Sequence, residues 1–571
     1  MFKLRENIIL NMITENTAIN IEESNYDEII KTIQKVIIGQ LRDLNDNEEL
    51  MKEFGPFFDI NSLNYTSSKI IGTIIEVNGF DIIPFDFSSF SNRDFRDLLD
   101  FIGKEIDIQI ERYTINHTAE ELLIEVLKFA SVLSRLTFLV CAEDSEGIKL
   151  NESLENTAFW LRMIDRSNID DIRGIMGEIK GSLECAVDSI LLNKVKFSDE
   201  ATKKPVDFFK ILTLYHAKNI LYQIGESIPI LRSDRKDFKL DKEKGIMLPE
   251  KILEAFSLYS NTTKGEKVRV ENDFTKKLFD IFKESLGFQP KDIIKYVTTN
   301  EGERAFRILD NYVSIADKEL LSIDIMLNQE LTSQGVSNLM NVFTLNKEEF
   351  YKQNDADKDK KTKHNMGSAN SRLFRTPIIR LETKILVPTY TWLESLNYLS
   401  LRILNRDIYS DMVTNTWNEL IKKSYDEYDL PELELFLHEK NINAQINIDL
   451  AQIPELKKDI KSIKKMPHEI DLLYFEKNSL VIMDLKNYGI QHNFMDVRKV
   501  VDKINEQKTK MNKLRQFVLD RKNVFEQILE SEFNEVNVGI LTVNPTVYPY
   551  IQKDDSLVKV LSVQSFKEGF E

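Results

Sequence analysis

His468-Glu469-Ile470-Asp471-Leu472-Leu473-Tyr474-Phe475, followed across Glu476-Lys477-Asn478-Ser479 by Leu480-Val481-Ile482-Met483-Asp484-Leu485-Lys486-Asn487-Tyr488, decides how the C-terminal part of this chain is read. Each half is apolar or alternating over strand length, and Lys477-Asn478-Ser479 has turn composition, so the spacing predicts a β-hairpin. Side chains two apart on a strand share a face. Asp484 and Lys486 therefore point together, Val481, Met483 and Leu485 point the other way, and pairing brings Asp471 beside them. Two acids and an amine inside an apolar hairpin are costly if buried without partners. Paired carboxylates are the oxygen ligands that a hard divalent cation takes, and such a cation offsets phosphate charge and acidifies a bound water.

On these residues the chain resembles the PD-(D/E)XK, or restriction-endonuclease-like, nucleases. In that family an acid on the second core strand and an acid-x-Lys on the third form the active site, positions matched here by Asp471, Asp484 and Lys486. The Asp-x-Lys followed by a polar-aromatic pair looks like the RecB-like, Mrr-like and nuclease-related-domain branches. The triplet alone is uninformative, since an acid two residues before Lys arises by chance about ten times in a chain of this composition; its hairpin setting carries the resemblance.

The resemblance implies Asp471 and Asp484 as ligands of Mg²⁺ or Mn²⁺, a backbone carbonyl near Leu485 as a further ligand, and Lys486 positioning or deprotonating the attacking water. It implies a helical Glu, for which Glu432 is favoured over Glu434. Glu469 shares a strand face with Asp471 and is a candidate third carboxylate. RecB-like members tend to carry Gln-x-x-x-Tyr on the next helix; here Gln507 is followed by Met511, so that motif is half present. His468 and His492 could serve as proton donors to the leaving oxygen, but read more readily as hydrogen-bonding surface residues.

The expected core runs from about 405 to 565: helix 431–440, strand 444–450, the hairpin, helix 494–529, strand 536–543 and a last strand near 557–563. This is an α-β-β-β-α-β order with a mixed central sheet flanked by helices. The fold class expected for the whole is multidomain, a mainly α N-terminal region with a small β element plus a C-terminal α/β restriction-endonuclease-like domain. Its divisions are 1–110, with a hairpin near 69–87 around Asn78-Gly79, a helical domain 111–350, a linker 351–377 of charged and small residues, and the nuclease-like domain 378–571.

Composition bounds the rest. The chain has 571 residues, 42% hydrophobic and 30% charged, with a formal net charge of −17. This describes a globular protein of several cores. Two cysteines, Cys141 and Cys185, read as buried free thiols and exclude a disulfide framework. The best apolar run, 129–142, contains Arg135 and two serines, so no membrane span is expected, and without a signal peptide pattern the expected location is cytoplasmic.

An acidic chain repels a phosphate backbone, yet residues 451–530 hold 16 Lys/Arg against 12 Asp/Glu, a local +4. Lys464 and Lys465 before the hairpin, and Arg498, Lys499, Lys503 and Lys510 on the following helix, are the candidate nucleic-acid contacts, with Lys508, Lys513 and Arg515 on the same helix. They would position a polyanion, DNA rather than RNA, without reading its sequence. The expected activity is Mg²⁺-dependent phosphodiester hydrolysis. The helical region is the place for a protein partner or a second copy, and for control of a nuclease used against foreign DNA. The rival expectation is a non-catalytic binding or scaffold protein with a degenerate nuclease fold. No P-loop, His-Glu-x-x-His or Gly-x-Ser-x-Gly pattern occurs.

Overall fold

The computed structural model describes residues 60–77, 92–146, 169–200, 205–227, 239–241, 245–247, 283–289, 312–345, 373–381, 384–397, 429–457, 466–488, 494–551 and 557–570, with isolated positions between 250 and 399. These fall into two compact units, one drawn from 1–222, 239–247 and 271–414 and the other from 223–238, 248–270 and 415–571.

The first unit is built on long helices: α1 (Ile60–Val77), α2 (Asn92–Thr114), α3 (Ala119–Glu146), α4 (Ile169–Leu191) and α5 (Phe208–Ser227). The expected strand at 69–77 is corrected by α1. Leu63, Ser67, Ile71, Ile74 and Ile75 are buried and recur at helical spacing. Burial of that stripe outweighs the β preference of isoleucine. The second half of that expected hairpin lies outside the described residues.

The region expected to be mostly helical also holds strands. β1 (Lys239–Asp241) pairs antiparallel with β2 (Gly245–Met247). β3 (Val313–Asp317) precedes α6 (Lys318–Gln329), α7 (Ser333–Phe343) and β4 (Thr344–Leu345). Asp317 ends β3 and caps α6, accepting the Glu319 amide at 2.8 Å, as the short acids do where a helix begins. β5 (Ile378–Arg380), β6 (Lys384–Pro388) and α8 (Thr389–Asn397) follow.

These strands form a four-stranded sheet in the order β3-β6-β5-β4. The boundary expected at 378 is thereby corrected: β6 pairs with β3 along its length, from Val313↔Pro388 to Asp317↔Lys384, so 378–397 belongs to the first unit. The C-terminal end of the expected linker is packed as well, with Leu373, Phe374 and Thr376 buried; residues 351–372 lie outside the described residues.

The second unit follows the expected element order. A helix over 429–439 leads to β7 (Ala444–Asp449), β8 (Glu469–Glu476) and β9 (Ser479–Lys486). Then come α9 (Phe494–Asp520), α10 (Lys522–Leu529), β10 (Glu535–Thr542), α11 (Tyr548–Ile551), β11 (Val558–Ser562) and α12 (Val563–Glu568). The sheet order is β11-β10-β9-β8-β7. β7, β8 and β9 form an antiparallel meander, whereas β9, β10 and β11 run parallel. The hairpin turns at Lys477, whose φ of 56° is left-handed.

Both faces of this sheet are covered, as the apolar content of its central strands requires. Leu480, Ile482, Val538 and Ile540 face one core with Val501, Ile504, Leu514 and Phe517 of α9. Val481, Met483 and Leu472 face the other with Leu430, Leu433, Leu437 and Phe566. Gly539 lies opposite Met483 in the ladder, where a Cβ would press on the Met483 sulfur, so glycine is needed for that close approach.

Candidate active site

The two central strands of the second unit part company at one end. The β8–β9 ladder runs from Glu476↔Ser479 to Leu472↔Met483 and stops. Beyond it, β8 stays with β7 as far as Asp449↔Glu469 and β9 stays with β10 as far as Thr542↔Lys486. Asp471 stands at the mouth of this fork. Its Oδ2 accepts the Leu485 amide at 2.7 Å, filling the place of a main-chain carbonyl that the departing strand no longer offers. Across β7, Asn447 adopts φ of 55° between the paired residues Ile446↔Leu472 and Ile448↔Ile470, so the sheet is irregular on both sides of Asp471.

The strand period puts Asp484 and Lys486 on the face covered by α9, and the fork brings Asp471 to them. Lys486 Nζ lies 2.8 Å from Asp484 Oδ1 and 3.5 Å from Asp471 Oδ2, and donates to the Leu485 carbonyl at 3.0 Å. The side chains are graded in exposure: Asp484 8%, Asp471 19%, Lys486 34%. The cluster sits at the carboxyl ends of parallel β9 and β10, the edge at which α/β sheets open crevices.

Each carboxylate has one oxygen fixed and one left over. Asp484 Oδ1 and Asp471 Oδ2 are taken by Lys486 and the Leu485 amide, while Asp484 Oδ2 is buried with no hydrogen-bond partner. Asp484 is flanked on β10 by Ile540, which is fully buried. Burial drives its pKa up from 3.8 to about 6, with Asp471 adding to the rise and Lys486 and the Gln507 amide opposing it. Burial alone would lower the Lys486 pKa, but Asp484 and Asp471 outweigh it and raise it, so this lysine is an ammonium at neutral pH. The Tyr488 phenol is pushed up by burial and then by Asp484.

Gln507 is the residue that sequence reading undervalued. It is 7% exposed and acts on Asp484 although the aromatic half of its motif is Met511, which lies in the core. The loops behind the site are fastened together: Asn544 Nδ2 donates to the Tyr488 carbonyl at 3.1 Å and lies 3.3 Å from Asn487 Oδ1.

Glu432 is not brought to this cluster. Its helix packs on the opposite face of the sheet through Leu433 and Leu437, and its carboxylate is held by Lys567 Nζ at 2.6 Å. Glu469 is exposed at the strand end, opposite Asp449. The His468 side chain is exposed and its carbonyl accepts the Leu450 amide. His492, Lys464 and Lys465 lie outside the described residues.

On α9, Lys499 and Lys503 are exposed and Arg498 is half-buried. Lys510 pairs with Glu506 at 3.0 Å, and Lys508 lies over the Tyr548 ring. Arg515 ties helix to sheet, donating from Nε to the Val536 carbonyl at 2.9 Å.

Among the described residues no group of three or more His, Cys, Asp or Glu side chains is placed to hold a metal ion. The site offers two carboxylates and a main-chain carbonyl. No helix among the described residues is long and apolar enough to cross a membrane. No protein-family model, curated protein or solved structure matches the chain.

Proposed function

We propose that the second unit is a divalent-cation-dependent phosphodiesterase of the restriction-endonuclease-like kind, acting on nucleic acid, with DNA as the first substrate to test. The observation that carries this reading is the buried, unpartnered Asp484 Oδ2 beside Asp471 and Lys486 at the fork of β8 and β9. Two carboxylates share one ammonium here, and a buried carboxylate oxygen is left without a hydrogen bond.

The residues fit a hard cation. Asp484 Oδ2 and Asp471 would hold it, and two carboxylates with water or substrate phosphate completing the sphere is the usual Mg²⁺ arrangement. Bound there, it would supply charge neutralisation at the phosphate and acidify a water. The chain's own residues do the rest. Asp471 is fixed by the Leu485 amide, so its free oxygen is aimed without freedom to turn. Lys486, kept as an ammonium by its two acids, is suited to grip a water or phosphate oxygen by hydrogen bonding, not to take a proton. Gln507 and Tyr488 are buried and both interact with Asp484, so charge there is poorly screened. Exposed Lys499 and Lys503 on the covering helix suit contact with the sugar-phosphate backbone.

The test uses the full chain with supercoiled plasmid, single-stranded DNA and RNA, in Mg²⁺ and in EDTA. Cutting that needs Mg²⁺ and falls about 100-fold or more in Lys486→Ala supports the reading. Binding without cutting under every condition overturns it in favour of a scaffold.

A further inference from the structure

Arg135 presents a second feature, in the first unit and independent of the aspartate cluster. It lies on α3 and is only 4% exposed. Nη1 donates to the Tyr312 hydroxyl, while Nε and Nη2 are buried with no hydrogen-bond partner. Those two nitrogens form a single edge of the guanidinium, the edge that grips a carboxylate or phosphate with two parallel bonds. Two aromatic rings in contact with each other lie on one side of the same group, Tyr312 at 5.8 Å and Tyr390 at 5.4 Å, with their centroids 5.8 Å apart. Cation–π contact of this kind holds the plane of the guanidinium without using its N–H groups.

The surroundings add positive potential. Tyr390 is the second residue of α8, whose first turn is buried: Thr389, Tyr390 and Thr391 are at most 4% exposed. Ser131 and Ser134, on the same stretch of α3 as Arg135, fix that turn, the first accepting the Tyr390 amide at 3.0 Å and the second bonding Thr391 at 3.2 Å. The Thr389 amide is taken by the Tyr312 carbonyl. A helix N-terminus carries about half a positive charge, and here it lies beside a buried guanidinium. The acid on α8, Glu394, is paired with Lys180. Among the described residues no carboxylate pairs with Arg135. A buried cation with an open bidentate edge next to a helix N-terminus is strongly unfavourable by itself and is relieved by an anion of matching shape.

We propose that Arg135, framed by Tyr312 and Tyr390 at the start of α8, is a binding site for a small ligand bearing a phosphate or carboxylate group. The fork fixes the chemistry as an oxyanion with two oxygens on one side, and the aromatic frame sets its orientation. Because the two nitrogens are buried, entry requires the packing around them to part, so the site takes a small ligand and not a polymer. It gives the helical unit a ligand of its own, distinct from the substrate of the second unit.

Calorimetric titration of the full-length, metal-free protein with inorganic phosphate and with acetate, at constant ionic strength, tests this. Saturable binding of either is expected, phosphate alone marking a phosphate ligand and acetate alone a carboxylate ligand. Arg135→Lys keeps the charge and removes the fork, and binding should weaken about 10- to 100-fold. No saturable binding of either anion, or equal binding in Arg135→Lys, overturns the proposal. Should that variant fail to fold, crystals of the native chain soaked in selenate decide it: anomalous density at Nε and Nη2 of Arg135 supports the site, and its absence there sinks it.

Discussion

Replacing Asp484 by Asn is expected to stabilise the cation-free protein at neutral pH while abolishing the proposed phosphodiester cleavage. Asp484 is a buried acid whose pKa is raised from 3.8 to about 6, by burial first and by Asp471 next. A carboxyl that holds its proton more tightly when folded costs nothing below its unfolded pKa. The cost grows as pH rises from 3.8 through about 6 and is fully present above that. The size of the rise puts it at about 3 kcal/mol at pH 7 and about 1 kcal/mol at pH 4.5. Asn is a neutral mimic of the protonated acid, so the variant should gain up to about 3 kcal/mol at pH 7 and much less at pH 4.5. Hydrogen exchange on peptides spanning Ser479–Lys486, in EDTA, reads the local opening free energy without assuming that the whole chain unfolds at once. Mg²⁺ should protect the native peptide and leave the variant unchanged. A variant less stable than the native chain at pH 7, or a difference that does not vary with pH, would refute the argument that Asp484 is a strained anion awaiting a counter-charge.

Other outcomes follow from single contacts. Burial lowers the His216 pKa from 6.5 to about 4, and its ring is held neutral between Ser182 Oγ at 2.7 Å and Asn64 Oδ1 at 2.6 Å. The unfolded chain takes up this proton first, so stability is intact above pH 6.5 and falls by about 3 kcal/mol on acidification to pH 4; His216→Gln should flatten that window in acid-unfolding curves. Gly539→Ala should destabilise the second unit by about 1–3 kcal/mol, since its methyl meets the Met483 sulfur and the Lys559 carbonyl; unchanged urea stability would mean that β9 and β10 do not pack this way. Glu432→Gln breaks a partly exposed pair with Lys567, worth at most about 1 kcal/mol, and should leave plasmid cutting untouched; loss of cutting in a folded variant would return Glu432 to the site.

Much of this protein was set by local pattern. The period of two along 480–486 put Asp484 and Lys486 on one face before any neighbour was known, because strand geometry alone decides which side chains share a side. The strands expected at 444–450, 536–543 and near 557–563, with one long helix before the last two, were legible for the same reason, since each pattern is written within a few residues. Ile70-Ile71 and Ile74-Ile75 show the limit. Their type favours a strand and their spacing a helix, and only burial along α1 chose between them.

Contacts between distant residues were decided by the tertiary structure. Asp471 reaches Lys486 because β8 and β9 separate beyond Leu472↔Met483, a consequence of which outer strand each one keeps. Gln507 counts because α9 lies over Asp484, and Glu432 does not because its helix lies over the other face. Arg135 read as one interruption in an apolar run; its meaning came when Tyr312 and Tyr390, both far along the chain, packed together beside it and left Nε and Nη2 without a partner. A sequence fixes the kind of each side chain and its local direction, whereas burial, which sets the cost of leaving a charge unpaired, exists only once the chain has packed.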